Sequence, residues 1–434
     1  MFQSYEDVPS LRQRICDGNF LAPDYKGHCI TRIPELVSIL FGLESRSHQD
    51  LFMRDDVILK LNGNPQNIVL LTIDAIGYDA WNRCRRDVGF MRRVVECGNV
   101  IPLTSVFPSE TAAALTTINT GLTPREHGLL SMLMYSDELA RPIQTLRFCP
   151  SEGYGADQPD YFANQSVDPS VLFSKRSVWD DWKSKGIDTY RVVPTGFVNS
   201  SYTCLTQPSS SPVSYDSYAE LAVNLARVVN DSTRRTFVHA YVPNLDMCAH
   251  RYGPYSDQWD IELRMLMLAL ERCVEMIDRE QAKNTVFLVA GDHGHVNLDP
   301  LGCVMINDFV NVDEVCATTQ TGSVIYPWGS PRCMFMRIRN ECFESVFNAL
   351  SAALQGVAMV EFSRQGSYLL GPWGDHPKLE NRFGDIFIVP FNDRTVWYRR
   401  KDKAFVQKFG GHGGLTPGEM LTVLGFANMS DLKV

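Results

Sequence analysis

The 434-residue sequence has no uninterrupted apolar run approaching the ~18–20 residues that a membrane span requires, so no membrane partner is expected. Its first residues, MFQSYEDVPSLRQRICDGNF, lack a basic n-region followed by an apolar h-region and do not read as a secretory signal. The twelve cysteines form no CxxC pair and no framework spacing. That argues against a disulfide scaffold and predicts reduced thiols in a cytoplasmic protein. Long Lys/Arg blocks are missing as well. Arg83-Cys84-Arg85-Arg86 and Arg92-Arg93 are short, lie beside acids, and sit in a chain of net charge −9. Bulk nucleic acid is therefore not an expected partner, although an acidic protein is compatible with a single nucleotide. Internal repeats and low-complexity tracts are also missing.

What is present is enough apolar material, 44%, for a sizeable core. NIVLLTI, ending at Ile73, is an almost unbroken apolar run, the mark of a strand buried on both faces. TFVHAYVPNLD (236–246) and NTVFLVAGDHG (284–294) are two more. Between them the spacing predicts a helix over about 256–279, with Ile261, Met265, Leu268 and Val274 on its apolar side and Met265-Leu266-Met267 filling the core. SVWDDWKSKGIDTYRVVP reads as helix then strand within an otherwise loop-rich stretch over 137–215. Strands alternating with helices predict an α/β fold with a mostly parallel central sheet flanked by helices. Residues 1–65 read as a leader packed on the core, with helical spacing in ITRIPELVSILFGL; residues 66–434 form the main domain, with a small α+β insertion at about 320–390.

Each of the three apolar runs ends near an acid: Asp74, Asp246 and Asp292. In open α/β sheets ligands collect at the carboxyl ends of strands. One such acid is ordinarily a helix cap; three, two of them with neighbouring histidines, point further. Asp246 and His250 stand at i and i+4, on one face of a helix turn. Asp292-His293 sits between Gly291 and Gly294, and His412 lies between two glycine pairs in FGGHGGLTPGEM. Four glycines around one histidine carry a large entropic cost, which suggests a close backbone approach. Mixed imidazole and carboxylate donors suit Zn²⁺, with Mn²⁺ or Fe as alternatives. Asp74, Asp246, His250, Asp292, His293 and His412 are too many for one tetrahedral ion but fit two divalent ions, the arrangement that clamps the attacking and leaving oxygens in phosphoryl transfer. Thr111 opens an alanine-rich helix in FPSETAAALTTINTGLTPREHG. Metal coordination and a helix N-terminus would together activate its hydroxyl as a nucleophile.

The ordered set TIDAIG, FPSETAAALTTINTGLTPREHG, NLDMCAH, AGDHG and GGHGG, spread over about 67–420, resembles the alkaline phosphatase superfamily and most closely its nucleotide pyrophosphatase/phosphodiesterase branch. The resemblance implies an alkaline-phosphatase-like core. It also implies one metal site at Asp74, Thr111, Asp292 and His293 and another at Asp246, His250 and His412. Attack by Thr111 would give a phospho-threonine intermediate that is then hydrolysed. The sequence departs from the branch at two positions. Met132 stands where an asparagine contacting a phosphate oxygen is usual, and Ala112 follows the nucleophile in place of phenylalanine. Sulfatase-type and phosphoglycerate-mutase-type signatures are not seen.

The expected function is therefore a two-metal phosphodiesterase or nucleotide pyrophosphatase acting on small-molecule phosphoesters. A phosphomonoesterase or phosphonate hydrolase on the same scaffold is the alternative, and a non-catalytic binding protein a third reading. Among the remaining residues, Glu110 is read as the cap of the Thr111 helix and His127 as structural. His295 is read as lying outside the ligand set or at the surface, His239 and His376 as non-ligands, and Trp328 as a candidate for stacking on a base.

Overall fold

The computed structural model describes residues 1–12, 14–15, 20–43, 61, 63–173, 177–374, 376–400 and 408–433. Residues 44–60, at the end of the sequence-defined leader, thus lie outside the described residues. A seven-stranded sheet forms the centre. Its strands are β1 (Asn67–Ile73), β2 (Asn99–Thr104), β3 (Asp188–Pro194), β4 (Ser211–Tyr215), β5 (Thr236–Val242), β6 (Thr285–Gly291) and β7 (Leu421–Asn428). They lie in the order β2-β7-β6-β1-β5-β3-β4. β6, β1, β5, β3 and β4 are parallel, while β7 runs antiparallel to both β6 and β2.

The apolar runs are explained by burial on both faces. Val69, Leu71 and Ile73 of β1 enter one core, shared with Phe287 and Val289 of β6; Ile68 and Leu70 enter the opposite core with Val286 and Leu288. Each fully buried side chain of this kind contributes roughly 1.5–3 kcal/mol. The helix α1 (Ile33–Leu40), with Pro34 in its first turn, covers the second face and packs against α2 (Thr111–Thr120). The opposite face carries α3 (Tyr218–Asn230), α4 (Asn244–Tyr252) and α5 (Asp257–Met276).

The structure turns α5 differently from its sequence-based orientation. Ile261, Met265 and Leu268 are exposed, whereas Leu263, Leu266, Met267, Leu270 and Val274 enter the core. The helix is apolar on more than one side, so spacing alone offers two candidate faces. The stretch read as loop-rich also holds more order than composition suggested. A three-stranded antiparallel sheet (Leu133–Ser136, Arg141–Gln144, Cys149–Pro150) borders it, and it supplies both β3 and β4. In the 320–390 region, Trp328–Ser330, Cys333–Met336, Ala358–Phe362 and Ile386–Pro390 form a four-stranded antiparallel sheet over the helix Phe343–Ala353, with an apolar core of its own. No helix among the described residues is long and apolar enough to cross a membrane.

Candidate active site

The parallel strands β1, β5 and β6 release their chains at one end of the sheet, and the acidic residues follow there. Asp74 comes directly after β1 and Asp292 directly after β6; Asp246 lies in the first turn of α4, after β5. The Asp292 carboxylate is positioned by its own neighbours, accepting from the Ala75 N–H at 3.0 Å and the His293 N–H at 2.9 Å. Tyr241, in β5, donates its hydroxyl to Asp74. The sequence reading did not single out this tyrosine; only its strand neighbours β1 and β5 place it there.

Thr111 is the first residue of α2, held there by an alanine run whose threonines bond back to the helix. Thr116 Oγ1 donates to Ala112 O at 2.7 Å and Thr120 Oγ1 to Thr116 O at 2.6 Å. Glu110 occupies the N-cap position, but its side chain makes no cap hydrogen bond, contrary to the sequence-based expectation. The carboxyl is buried instead, and burial pushes its pKa up, against the opposing pull of Ser330, Lys408, His293 and the Met132 N–H. The first-turn N–H groups of α2 therefore have no side-chain cap at the end where Thr111 sits.

The glycine-framed loop reaches the site from the other side. A Cβ on Gly410 would lie 2.5 Å from Ala249 O of α4, and Gly413 takes φ +122°. That close approach is the one the four glycines suggested. It carries His412 to the centre, where its ring stacks on His293 with centroids 3.8 Å apart and planes 10° from parallel.

Backbone carbonyls fix the imidazole tautomers. His293 Nδ1 donates to Gly294 O, His250 Nδ1 to Gly410 O and His412 Nδ1 to Ser109 O, each at 2.9 Å. The three Nε2 lone pairs then point inward. His293 Nε2 lies 3.1 Å from Thr111 Oγ1, 3.3 Å from Asp74 Oδ1 and 3.4 Å from Asp292 Oδ2. His250 Nε2 and His412 Nε2 are 3.2 Å apart, and each is 3.5 Å from an Asp246 oxygen.

All seven sequence-nominated residues thus meet in one place. Asp246 bears on both halves: its carboxylate groups with His250, His295 and His412 and also with Asp74 and His293. Asp246 thus lies between the two halves of the site. His295 is the residue that the sequence reading left aside. It is buried in this cluster, its Nε2 3.3 Å from Asp246 Oδ1.

Burial, reinforced by Asp292 and Asp246, pushes the Asp74 carboxyl up, and burial also raises Asp292. It pushes His250 down to about 4 and His412 well below the ordinary imidazole value. Asp74 Oδ1, Asp246 Oδ1 and Asp292 Oδ2 are buried without hydrogen-bond partners. Carboxylates and neutral imidazoles converging on unpaired oxygens are the donor chemistry of a divalent cation site. Ligands at 2.0–2.1 Å around a tetrahedral ion stand roughly 3.3 Å from one another, which matches the spacing here.

The residue family of type I phosphodiesterases and nucleotide pyrophosphatases matches residues 68–415. The chain belongs to this family. As a member of it, the protein is a phosphoester hydrolase of the alkaline phosphatase superfamily, and its two His/Asp groupings are consistent with a bimetallic site. The fold agrees. Murine ectonucleotide pyrophosphatase/phosphodiesterase 5 superposes with a TM-score of 0.59 at 14% identity, over 82% of this chain and 87% of that one. An inactive variant of the murine protein in complex with AMP gives the same figures, TM-score 0.59 and 14% identity over 82% and 87% of the two chains. The human counterpart gives 0.60 at 13% identity over 83% and 87%. No curated protein matches the chain by sequence.

Other nominated residues lie in structural settings. His127 is fully buried, its Nε2 3.1 Å from Thr117 Oγ1 and its Nδ1 accepting from Leu129 N at 3.0 Å. His239 faces Thr72 Oγ1 at 2.9 Å and Gln207 at 3.0 Å, within the sheet. His376 is buried and accepts from the Lys378 N–H at 3.2 Å. Trp328 is 1% exposed and donates its indole N–H to Arg382 O, so it offers no face to a base, contrary to the sequence-based suggestion.

Proposed function

We propose that the protein is a two-cation hydrolase of phosphodiesters or nucleotide pyrophosphates that uses Thr111 as its nucleophile. The observation that carries this reading is the convergence of Thr111 Oγ1, the Nε2 atoms of His293, His250 and His412, and the carboxylates Asp74, Asp292 and Asp246. Asp74, Thr111, Asp292 and His293 would hold one cation and Asp246, His250 and His412 the other, with Zn²⁺ the best match to the donor set and Mn²⁺ or Fe as alternatives. Bound there, such cations supply Lewis acidity and charge neutralisation at the phosphate.

The chain's own residues do the rest. Thr111 gives up its hydroxyl proton to solvent, and its oxygen attacks phosphorus as the ester oxygen departs and takes a proton from water; His293 Nε2, 3.1 Å from Thr111 Oγ1, would be committed to the cation. Water then cleaves the phosphorylated Thr111. The uncapped N-terminus of α2 presents N–H groups to the phosphate oxygens and favours their charge. The AMP complex of the murine relative supports a nucleotide-type substrate.

One observation favours a second reading, a phosphomonoesterase or phosphonate hydrolase. The Met132 N–H bears on Glu110, beside Thr111, but its side chain offers no donor to a diester. Metal analysis of reloaded protein combined with Thr111→Ala kinetics tests the proposal. About two equivalents of cation and loss of turnover are expected; fewer than two, or unchanged turnover, overturns it.

A further inference from the structure

We propose that His295 is a fourth protein ligand of the cation held by Asp246, His250 and His412, giving that side of the site an Asp/His₃ donor set. The inference rests on the two-cation reading above and adds a residue to it.

His295 is 5% exposed, and neither of its ring nitrogens makes a hydrogen bond. Its Nε2 stands 3.3 Å from Asp246 Oδ1, an oxygen that is itself buried without a hydrogen-bond partner. Buried polar groups are otherwise almost always satisfied, so two unsatisfied atoms facing each other mark a place for a shared partner. His250 and His412 complete the surroundings, with ring centroids 4.8 and 5.4 Å from that of His295. One donor atom from each of the four residues lies within 4.8 Å of all the others.

The backbone holds His295 in this position. Val296 pairs with Gly411 and Asn297 with Gly410 in a short antiparallel ribbon. One step further along the same register stand His295 and His412. A Cβ on Gly410 would also lie 2.7 Å from His295 Cε1, so the glycine leaves room for the ring. His293 and His295 bracket Gly294, which sends the first imidazole to Thr111 and the second to Asp246. Four protein donors hold a cation more tightly than three, and expansion to five-coordination still admits a phosphate oxygen. The cation on the Asp246 side is therefore retained more tightly than a three-ligand set would hold it.

The test uses the full chain, stripped with a chelator and reloaded. Zn²⁺ affinity is measured by competition with a chromophoric chelator, and Co²⁺ loading by visible ligand-field absorption. Wild type is expected to take up two equivalents. His295→Ala should lose at least about tenfold in affinity at one equivalent only, with a changed Co²⁺ spectrum. His295→Asp, which restores a donor, should recover part of the loss, and the metal-free proteins should melt together. His295→Gln, closer in volume, replaces the alanine variant if that one does not fold. Two equivalents at wild-type affinity with an unchanged Co²⁺ spectrum in the variant overturn the assignment. So does an equal loss of stability with and without cation. Failure of wild type itself to bind two cations overturns the two-cation reading instead.

Discussion

His293 and His412 lie face to face, 3.8 Å between centroids, although they come from loops 119 positions apart and face opposite halves of the site. The stack ties the loop after β6 to the glycine-framed loop before β7. Each ring donates Nδ1–H to a backbone carbonyl, so neither turns freely, and each Nε2 is committed to its own half. The geometry of the nucleophile side thus depends on the position of the glycine loop, and both depend on Asp246 between them.

Two of the hydroxyl–imidazole pairs in the molecule should respond oppositely to substitution. Thr111–His293 is flanked by Asp74 and Asp292, whereas Thr72–His239 is flanked by Gln207 and Trp179. Thr111→Ala is expected to lower kcat by on the order of 10⁴ or more while keeping both cations. Thr72→Val should cost about 1–3 kcal/mol of stability, from the unpaired His239 nitrogen, and leave kcat near wild type. Steady-state kinetics with bis-p-nitrophenyl phosphate, paired with denaturant melts, separates the two; a silent Thr111→Ala would remove the nucleophile from the proposal.

Removing cations should destabilise the fold as well as silence it. Asp74, Asp246 and Asp292 crowd together with unpaired buried oxygens, and a cation that binds the native site alone stabilises it by mass action. At a free concentration a hundredfold above the dissociation constant the gain is about 2.7 kcal/mol per site. Melting temperature should therefore fall on chelation and climb with added Zn²⁺ in a concentration-dependent way. A melting temperature indifferent to the cation would count against any resident site.

Most of the site was legible in the sequence because its chemistry is local: Asp-x₃-His on one helix turn, Asp-His in a glycine turn, His between glycine pairs. His295 was not legible, since its partner lies across a ribbon whose register only the fold provides. The strands were read where burial on both faces leaves an unbroken apolar run, as in β1, β5 and β6. β2 was missed because Pro102 interrupts it; an edge strand tolerates the proline, and β2 is an edge. β7 contains Gly425, whose missing Cβ makes room for Val289 and Val94, a packing reason with no periodic signal. The facing of α5 was lost for the opposite reason, an excess of apolar residues.

Met132 permits a direct test of ester preference. Its side chain is 41% exposed and supports no core, so Met132→Asn should fold normally. Its backbone bears on Glu110, next to Thr111, which keeps the new amide near the nucleophile. The ratio of kcat/KM for bis-p-nitrophenyl phosphate over p-nitrophenyl phosphate should rise several-fold in the variant, one added hydrogen bond being worth about 0.5–1.5 kcal/mol. Wild type already favouring the monoester would promote the second functional reading, and an unmoved ratio in the variant would place residue 132 outside the substrate's reach.

The glycine loop is anchored by a buried ion pair whose loss should be felt at the site. Arg332 donates Nε and Nη2 to the two Glu419 oxygens at 2.8 and 2.7 Å, and both side chains are almost completely buried. Glu419 also accepts from Gly414 N at 3.1 Å and from Thr416 Oγ1 at 2.6 Å, which pins the chain just after His412. Burial alone would raise this carboxyl, but the Arg332 guanidinium and these hydrogen bonds bring it below its ordinary value. A depressed carboxylate contributes stability that is fully present above the unfolded-state value, about 4.3, and is lost as pH falls through the lower folded value. Wild type should therefore lose this contribution only at acid pH, below about 4. Glu419→Gln removes the charge at every pH and strands the guanidinium, a cost of about 3–5 kcal/mol. Denaturant melts at pH 7 and at about pH 2–3 should show a large gap between the two proteins at pH 7 that narrows at the lower pH. A gap that stays constant across that range would mean that the carboxylate charge of Glu419 does not hold the loop.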